Sequence, residues 1–189
     1  MGTLLTTSEC LLSPNRNGQK NKVEIEEYLK NVFQVRQILW LDDGYLAGDD
    51  TDSHIDTLAR FCPADTIVYV QCEDETDEHY EALQAMEEQL HSFRTLNGEP
   101  YRLLALPMAD KVVEEGERLP ATYANFLILN GTILYPTYNQ PENDRRACEV
   151  LQEAFPGYQM VGIDCRPLIK QHGSLHCVTM QYPLSLIHI

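Results

Sequence analysis

Two stretches of the chain hold residue types that could do covalent chemistry. Near the C-terminal end, HGSLHCVTMQ (His172 to Gln181) places Cys177 after a glycine, Gly173, and among two histidines. Earlier, GDDTDSHIDTLARF (Gly48 to Phe61) gathers Asp49, Asp50, Asp52, His54 and Asp56. A cysteine thiolate is a nucleophile, histidine moves protons near neutral pH, and carboxylates grip a planar cation through paired hydrogen bonds. In an extended segment side chains at every second position share a face. Asp50, Asp52, His54 and Asp56 then point one way, and Cys177 shares its face with Gly173 and Leu175. His176 falls on the opposite face, poorly placed to serve as the base of Cys177. Gly173 has no Cβ and lets the backbone approach a ligand closely.

The acidic run admits several readings. A calcium loop starting at Asp50 would need glycine at its sixth position and glutamate at its twelfth, where Ile55 and Phe61 stand. A transition-metal site would need a second ligand histidine at a suitable spacing from His54, and the sequence has none. A cation site remains, with Asp56 gripping a positively charged substrate while His54 carries protons. Against it stands a solvated acidic turn. A strand cysteine, for its part, is commonly a small buried hydrophobe.

The elements that must position these residues follow from periodicity and turn signals. Thr3 to Thr7 reads as a strand, and SPNRNGQKN as a polar loop. Val23, Ile25, Tyr28, Leu29, Val32 and Phe33 recur at helical spacing. QILWL (Gln37 to Leu41) is a buried strand, and Ile55 to Phe61 and Thr66 to Gln71 are two more around Pro63. Thr76 to Phe93 is expected to be a long acidic helix, followed by a strand from Tyr101. The segment ADKVVEEGERLP looks charged and mobile. Asn130-Gly131 marks a hairpin inside ANFLILNGTILYPTY. Pro141 to Phe155 reads as helix, Gln159 to Cys165 as strand, and a last strand begins at Ser174. The recurring strand, helix, strand, strand unit points to an α/β fold of small modules set around a centre, with a plain α+β sandwich as the alternative.

Composition sets the bounds. A chain of 189 residues suits one domain. Its formal net charge of -15 argues against nucleic acid or an anionic membrane as partner and favours a small cationic substrate. Six cysteines with no Cys-x-x-Cys pair fit free thiols in a reducing cytoplasm. The opening residues carry no basic and then apolar leader, and no window approaches the roughly 18 apolar residues of a spanning helix.

GDDTDSHIDTLARF, LPATYANFLILNGTILYPTY and GIDCRPLIKQHGSLHCVTMQYP closely resemble, in order and spacing, the motifs of the agmatine deiminases, within the larger group of guanidino-modifying enzymes that includes arginine and bacterial peptidyl-arginine deiminases. The resemblance runs from about Gly2 to Pro183. It implies part of a five-bladed α/β propeller (pentein type) with its site at the hub, and residues 1–183 as the C-terminal portion of a single catalytic domain. It also implies hydrolysis of agmatine to N-carbamoylputrescine and ammonia through an amidino-cysteine, in putrescine and polyamine synthesis, without metal or organic cofactor. Carried over by motif, the nucleophile is Cys177, the proton carrier His54 and the guanidinium-binding carboxylate Asp56. Asp50, Asp52 and Gly173 are expected beside the substrate. Two earlier carboxylates of the family, one in a Glu-Gly-Gly motif, have no counterpart, so the chain by itself is expected to be inactive. Arginine or peptidyl-arginine as substrate, or an inert half-propeller, are the alternatives; a homo-oligomer at full length is open. The final LSLIHI (184–189) resembles a translated transposase-type sequencing adapter and is expected to be a non-native tail.

Overall fold

The computed structural model describes residues 2–49 and 53–180. β1 (Thr3–Thr7) leads into two short helices, α1 (Ser8–Leu12) and α2 (Pro14–Asn17), then α3 (Lys22–Phe33) and β2 (Gln37–Leu41), which pairs parallel with β1. The stretch expected to be a polar loop therefore holds one helical turn, Pro14–Asn17. Thr7 starts α1 by accepting a hydrogen bond on Oγ1 from the Cys10 N–H. Asn21 starts α3 with a reciprocal cap, its side chain on the Glu24 N–H and the Glu24 carboxylate on its own N–H.

Two complete modules follow. In the first, β3 (Ala59–Cys62) and β4 (Thr66–Gln71) form an antiparallel hairpin, α4 (Tyr80–Ser92) crosses over, and β5 (Arg102–Pro107) returns parallel to β4. A tiny hairpin of β6 (Val113–Glu114) and β7 (Glu117–Arg118) comes next, where the sequence looked mobile. The second module repeats the plan with β8 (Leu127–Leu129), β9 (Thr132–Thr137), α5 (Pro141–Ala154) and β10 (Gln159–Asp164). Asn130 and Gly131, at φ 46° and 83°, make the left-handed two-residue turn that matches strand twist. The repeating unit is thus hairpin, helix, strand, the expected cycle of strand, helix, strand, strand begun one strand earlier.

Alternation along β2 buries both of its faces. Leu39 and Leu41 join the main core, which runs through Ile67, Met86, Phe126 and Phe155. Ile38 and Trp40 face α3 and pack with Ile25 in a separate small cluster. Each crossover helix buries one stripe: Leu83, Met86 and Leu90 on α4, and Ala147, Leu151 and Ala154 on α5.

Three expected elements are corrected at the functional stretches. Ile55 to Phe61 is not one strand: a 3-10 turn, Ile55–Thr57, precedes β3. The acidic helix begins only at Tyr80, after turns around Asp74 and Asp77. No strand begins at Ser174; a 3-10 turn, His176–Val178, carries the cysteine. Among the described residues no helix is long and apolar enough to cross a membrane. The 184–189 tail lies outside the described residues.

Candidate active site

The 3-10 turn at Ile55–Thr57 aims its neighbours in different directions, because three residues per turn break the alternation of a strand. His54 sits at the N-cap of this turn and Asp56 lies within it, and the turn is pinned below by the buried Leu58 and Ala59. The Thr57 hydroxyl lies 2.8 Å from the His54 carbonyl and 3.3 Å from Asp49 Oδ2. His54 Nε2 lies 3.2 Å from Arg16 Nη2 of α2.

A second segment, Leu119 to Phe126, threads through the core between β7 and β8, with Tyr123, Ala124, Asn125 and Phe126 all fully buried. A buried side-chain amide needs partners. Asn125 Nδ2 donates to the Asp56 carbonyl at 3.2 Å and to Asp56 Oδ2 at 3.0 Å. Its Oδ1 accepts from the His176 N–H at 2.8 Å, the Cys177 N–H at 3.4 Å and the Cys177 thiol at 3.5 Å. His176 Nδ1 lies 2.6 Å from the same Asp56 oxygen. Tyr138 holds the loop below: its hydroxyl accepts from the Thr122 N–H and sits 2.9 Å from Ser174 Oγ.

Cys177, His54, Asp49 and Gly173 line one cleft of about 280 Å³, together with Gln171 and His172. A roomier cleft of about 420 Å³, lined by Gly2, Arg36 and Tyr101, lies elsewhere. Its cysteine, Cys62, has a thiol pushed up to about 12, chiefly by burial, so it is a poor nucleophile. Composition and not volume marks the site.

Electrostatics at the cleft favour a cation. Cys177 is exposed at the cleft, but the chain packed around its thiol still strips water from it and raises it above its ordinary value, and the carboxylates of Asp56 and Asp49 push the same way. Burial also works to raise Asp56, but the hydrogen bond and charge of His176 and the nearby Arg60 outweigh it and hold the carboxyl below its usual range. Arg60 is fixed by donating to the Phe126 carbonyl at 2.7 Å and lies over the Phe126 ring.

The structure brings Cys177, His54 and Gly173 together as expected. Asp56 does not line the cleft; its side chain is 17% exposed and reaches Cys177 through Asn125. Gly173 lines the cleft and also makes room for the nucleophile, since a Cβ there would stand 3.0 Å from Cys177 Cβ. His176 does not line the cleft; the 3-10 turn delivers its ring to Asp56. Asp50 and Asp52 lie outside the described residues. Sequence reasoning missed Asn125, although an amide inside the apolar run TYANFLIL was a signal that something polar must meet it. Among the described residues no group of three or more His, Cys, Asp or Glu side chains could hold a metal ion.

Comparison with known proteins sets the chain among deiminases. A solved structure from Porphyromonas gingivalis, provisionally described as an arginine deiminase, is 57% identical and superposes with a TM-score of 0.93 over 96% of this chain and 53% of that one. A substrate-bound cysteine-to-serine variant of C. jejuni agmatine deiminase is 45% identical with a TM-score of 0.86, covering 93% of this chain and 50% of that one. A protein of Legionella pneumophila (strain Paris), provisionally named an agmatine deiminase, is 36% identical over 184 residues, 97% of this chain and 53% of its own length. The chain spans about half the length of the curated relatives it matches. The family model for Porphyromonas-type peptidyl-arginine deiminase matches residues 1–183, and the chain belongs to that family.

Proposed function

We propose that this chain carries the nucleophilic half of a hydrolase that deiminates agmatine to N-carbamoylputrescine and ammonia. The observation that carries the reading is the convergence of Cys177, His54 and Asp49 on one cleft, with Asp56 tied to the thiol through Asn125. The C. jejuni relative has been obtained with substrate bound in a cysteine-to-serine form, in keeping with a cysteine needed for turnover.

The chemistry follows from a raised thiol in an acidic site. A guanidinium entering the cleft brings positive charge next to Sγ and stabilises the thiolate. The thiol proton passes to His54, and the thiolate adds to the guanidinium carbon. The tetrahedral adduct expels ammonia as His54 returns that proton to the leaving nitrogen. The amidino-cysteine is then attacked by water, whose proton His54 takes; collapse of the second adduct expels the Cys177 sulfur, His54 returns its proton to it as the thiol, and the hydroxyl proton shed as the carbonyl forms leaves with ammonia as ammonium. Atoms balance as agmatine plus water giving N-carbamoylputrescine plus ammonia. Asp56, one residue behind the cleft wall, supplies negative charge that favours the entering guanidinium. Asp50 and Asp52 are read as supporting carboxylates for the substrate's far amine.

The three modules are read as blades of a five-bladed propeller, and residues 1–183 as part of one catalytic domain whose other carboxylates lie in the remainder of the relatives' length. The 189-residue chain alone is then inactive, and a reducing cytoplasm keeps its thiol available. Polyamine synthesis is the use that fits the product. Free arginine adds a carboxylate that Asp49 and Asp56 repel, which favours agmatine; a peptidyl-arginine, which the family name carries, lacks that charge.

The test joins residues 2–183 to the complementary half of a full-length relative and measures ureido product from agmatine, arginine and an arginyl peptide. Agmatine should be turned over fastest, and Cys177→Ala should abolish the product. Turnover near that of the unsubstituted chimera in Cys177→Ala would sink the assignment, and a preference for the peptide would move the substrate.

A further inference from the structure

Asn125, which belongs to neither functional stretch, touches both at once. Its orientation is fixed by chemistry. Nδ2 faces only acceptors, the carbonyl and Oδ2 of Asp56, while Oδ1 faces two backbone N–H groups, those of His176 and Cys177. Turning the amide over would set NH2 against two N–H donors and oxygen against a carboxylate, so the alternative is excluded. It follows that Cys177 Sγ, 3.5 Å away, meets an oxygen that can only accept. A thiol can donate to it; a thiolate cannot, and is repelled.

We propose that Asn125 is a positioning residue with two tasks: it sets the Cys177 thiol in register with the Asp56 carboxylate, and it holds that thiol protonated until a cation enters the cleft. The proposal rests on Cys177 being the reacting thiol and adds the device that keeps it dormant. An idle thiolate would be open to oxidation and alkylation. With Asn125 the same amide that orients the nucleophile favours its neutral form, and only the charge of a bound guanidinium reverses that preference. The raised thiol owes its shift to burial first and then to Asp56 and Asp49; the part assigned to Asn125 rests on the orientation of its amide alone. The other groups facing Cys177 are Asp49 and Asp56, which also disfavour the thiolate, the Ser174 backbone, whose hydrogen bond favours it, and His54, His172 and Arg60, which favour it when charged; Tyr138 stays neutral, pushed far up by burial.

The test needs no deiminase activity, so its failure is separate from a failure of the proposed function. Iodoacetamide alkylation of the 189-residue chain is followed peptide by peptide against pH, with the buried Cys165 as a reporter of unfolding. In Asn125→Asp the shape is kept but an oxygen replaces Nδ2. Carboxylate pairs in contact can lose their second proton below about pH 5. At pH 8 the variant therefore carries an extra negative charge beside Sγ, and Cys177 alkylation should slow about tenfold. In Asn125→Ala the thiol loses its acceptor, and alkylation should quicken about threefold, the equivalent of one neutral hydrogen bond. Opposite shifts with Cys165 still protected support the proposal; an unchanged Cys177 profile, or shifts in the same direction, overturns it. If both variants expose Cys165, the unsubstituted chain decides. The side-chain amide signals of Asn125 must then titrate in NMR with the midpoint of Cys177, and flat signals overturn the proposal.

Discussion

His176 Nδ1 lies 2.6 Å from Asp56 Oδ2, although 120 positions separate the two residues. The contact converts a histidine next to the nucleophile into a partner of the carboxylate behind it. Asp56 thereby acquires a charge-assisted bond that holds it ionised, and its negative charge in turn opposes ionisation of Cys177. Asp56→Asn should therefore act in two opposite directions. Turnover of agmatine in the full-length chimera should fall by about a hundredfold or more, equivalent to about 3 kcal/mol of lost transition-state binding. Alkylation of Cys177 at pH 8 should quicken, because a neutral amide no longer repels the thiolate. A variant that lost activity with slower alkylation would contradict this arrangement.

Asp49 raises the same thiol from another side. Asp49→Asn should speed Cys177 alkylation at pH 8 by a smaller factor than Asp56→Asn, since Asp56 is the stronger of the two influences. Peptide-resolved alkylation of the two single variants checks the order, and an Asp49 variant faster than the Asp56 variant would reverse it.

The legibility of this fold divides along local and long-range lines. QILWL and the Asn130-Gly131 turn were readable because their shape is set by local alternation and by two positive φ angles. The final stretch misled because its shape is imposed from elsewhere. Asn125 Oδ1 draws the His176 and Cys177 N–H groups onto one atom, which folds the chain into a 3-10 turn that no periodicity in SLHCVT announces. Cys177 and His54 could be paired from the sequence only through the resemblance of their motifs, since 122 intervening positions carry no distance information. The same holds for Asp56, whose hydrogen bonds to Asn125 and His176 become visible only when two modules close on each other.

A further polar cluster braces the acidic loop from below and gives the pH dependence of stability a sign. Asp77 Oδ1 lies 2.5 Å from Nδ1 of the fully buried His79, and Arg118 pairs with its Oδ2 at 2.9 Å. Burial alone would raise Asp77, but the His79 backbone N–H, the His79 ring and Arg118 outweigh it and bring the carboxyl from 3.8 to about 2. Its folded value is depressed, so the stabilisation is present above the unfolded value of about 4 and is lost as pH falls toward about 2. With 19% of the side chain exposed, about 1 to 2 kcal/mol is a reasonable size after solvent screening. Urea melts of the chain between pH 5 and pH 2 should lose this increment, and Asp77→Asn should flatten that part of the curve. A variant with the parental slope would remove Asp77 from the account.

That cluster also fixes the backbone that approaches the cleft. His79 Nε2 accepts from the Ala47 N–H at 2.7 Å, and the Gly48 carbonyl lies 2.9 Å from His172 Nδ1. Gly48 takes φ +79°, and a Cβ there would stand 2.2 Å from the Arg118 carbonyl oxygen. Gly48→Ala combines left-handed backbone strain with a clash against main chain that cannot rotate away, and should cost about 2 to 4 kcal/mol. A urea midpoint within error of the unsubstituted chain would show that the loop shifts freely.

Gly173→Ala separates positioning of the nucleophile from stability. Gly173 does not have a positive φ, so alanine adds no backbone strain; its Cβ would instead stand 3.0 Å from Cys177 Cβ and 3.6 Å from Sγ. The easiest relief is rotation of the cysteine side chain away from Asn125 Oδ1, which costs little in folding because Cys177 is exposed at the cleft. The urea midpoint should therefore stay within about 1 kcal/mol of the parent, while kcat in the full-length chimera falls by tenfold or more, since misplacing a reacting atom by about 1 Å can cost a factor of about a hundred. KM should change little, because the groups proposed to hold the cation are untouched. A loss of stability matching the loss of rate would mean that alanine disturbs the whole loop and not the thiol alone.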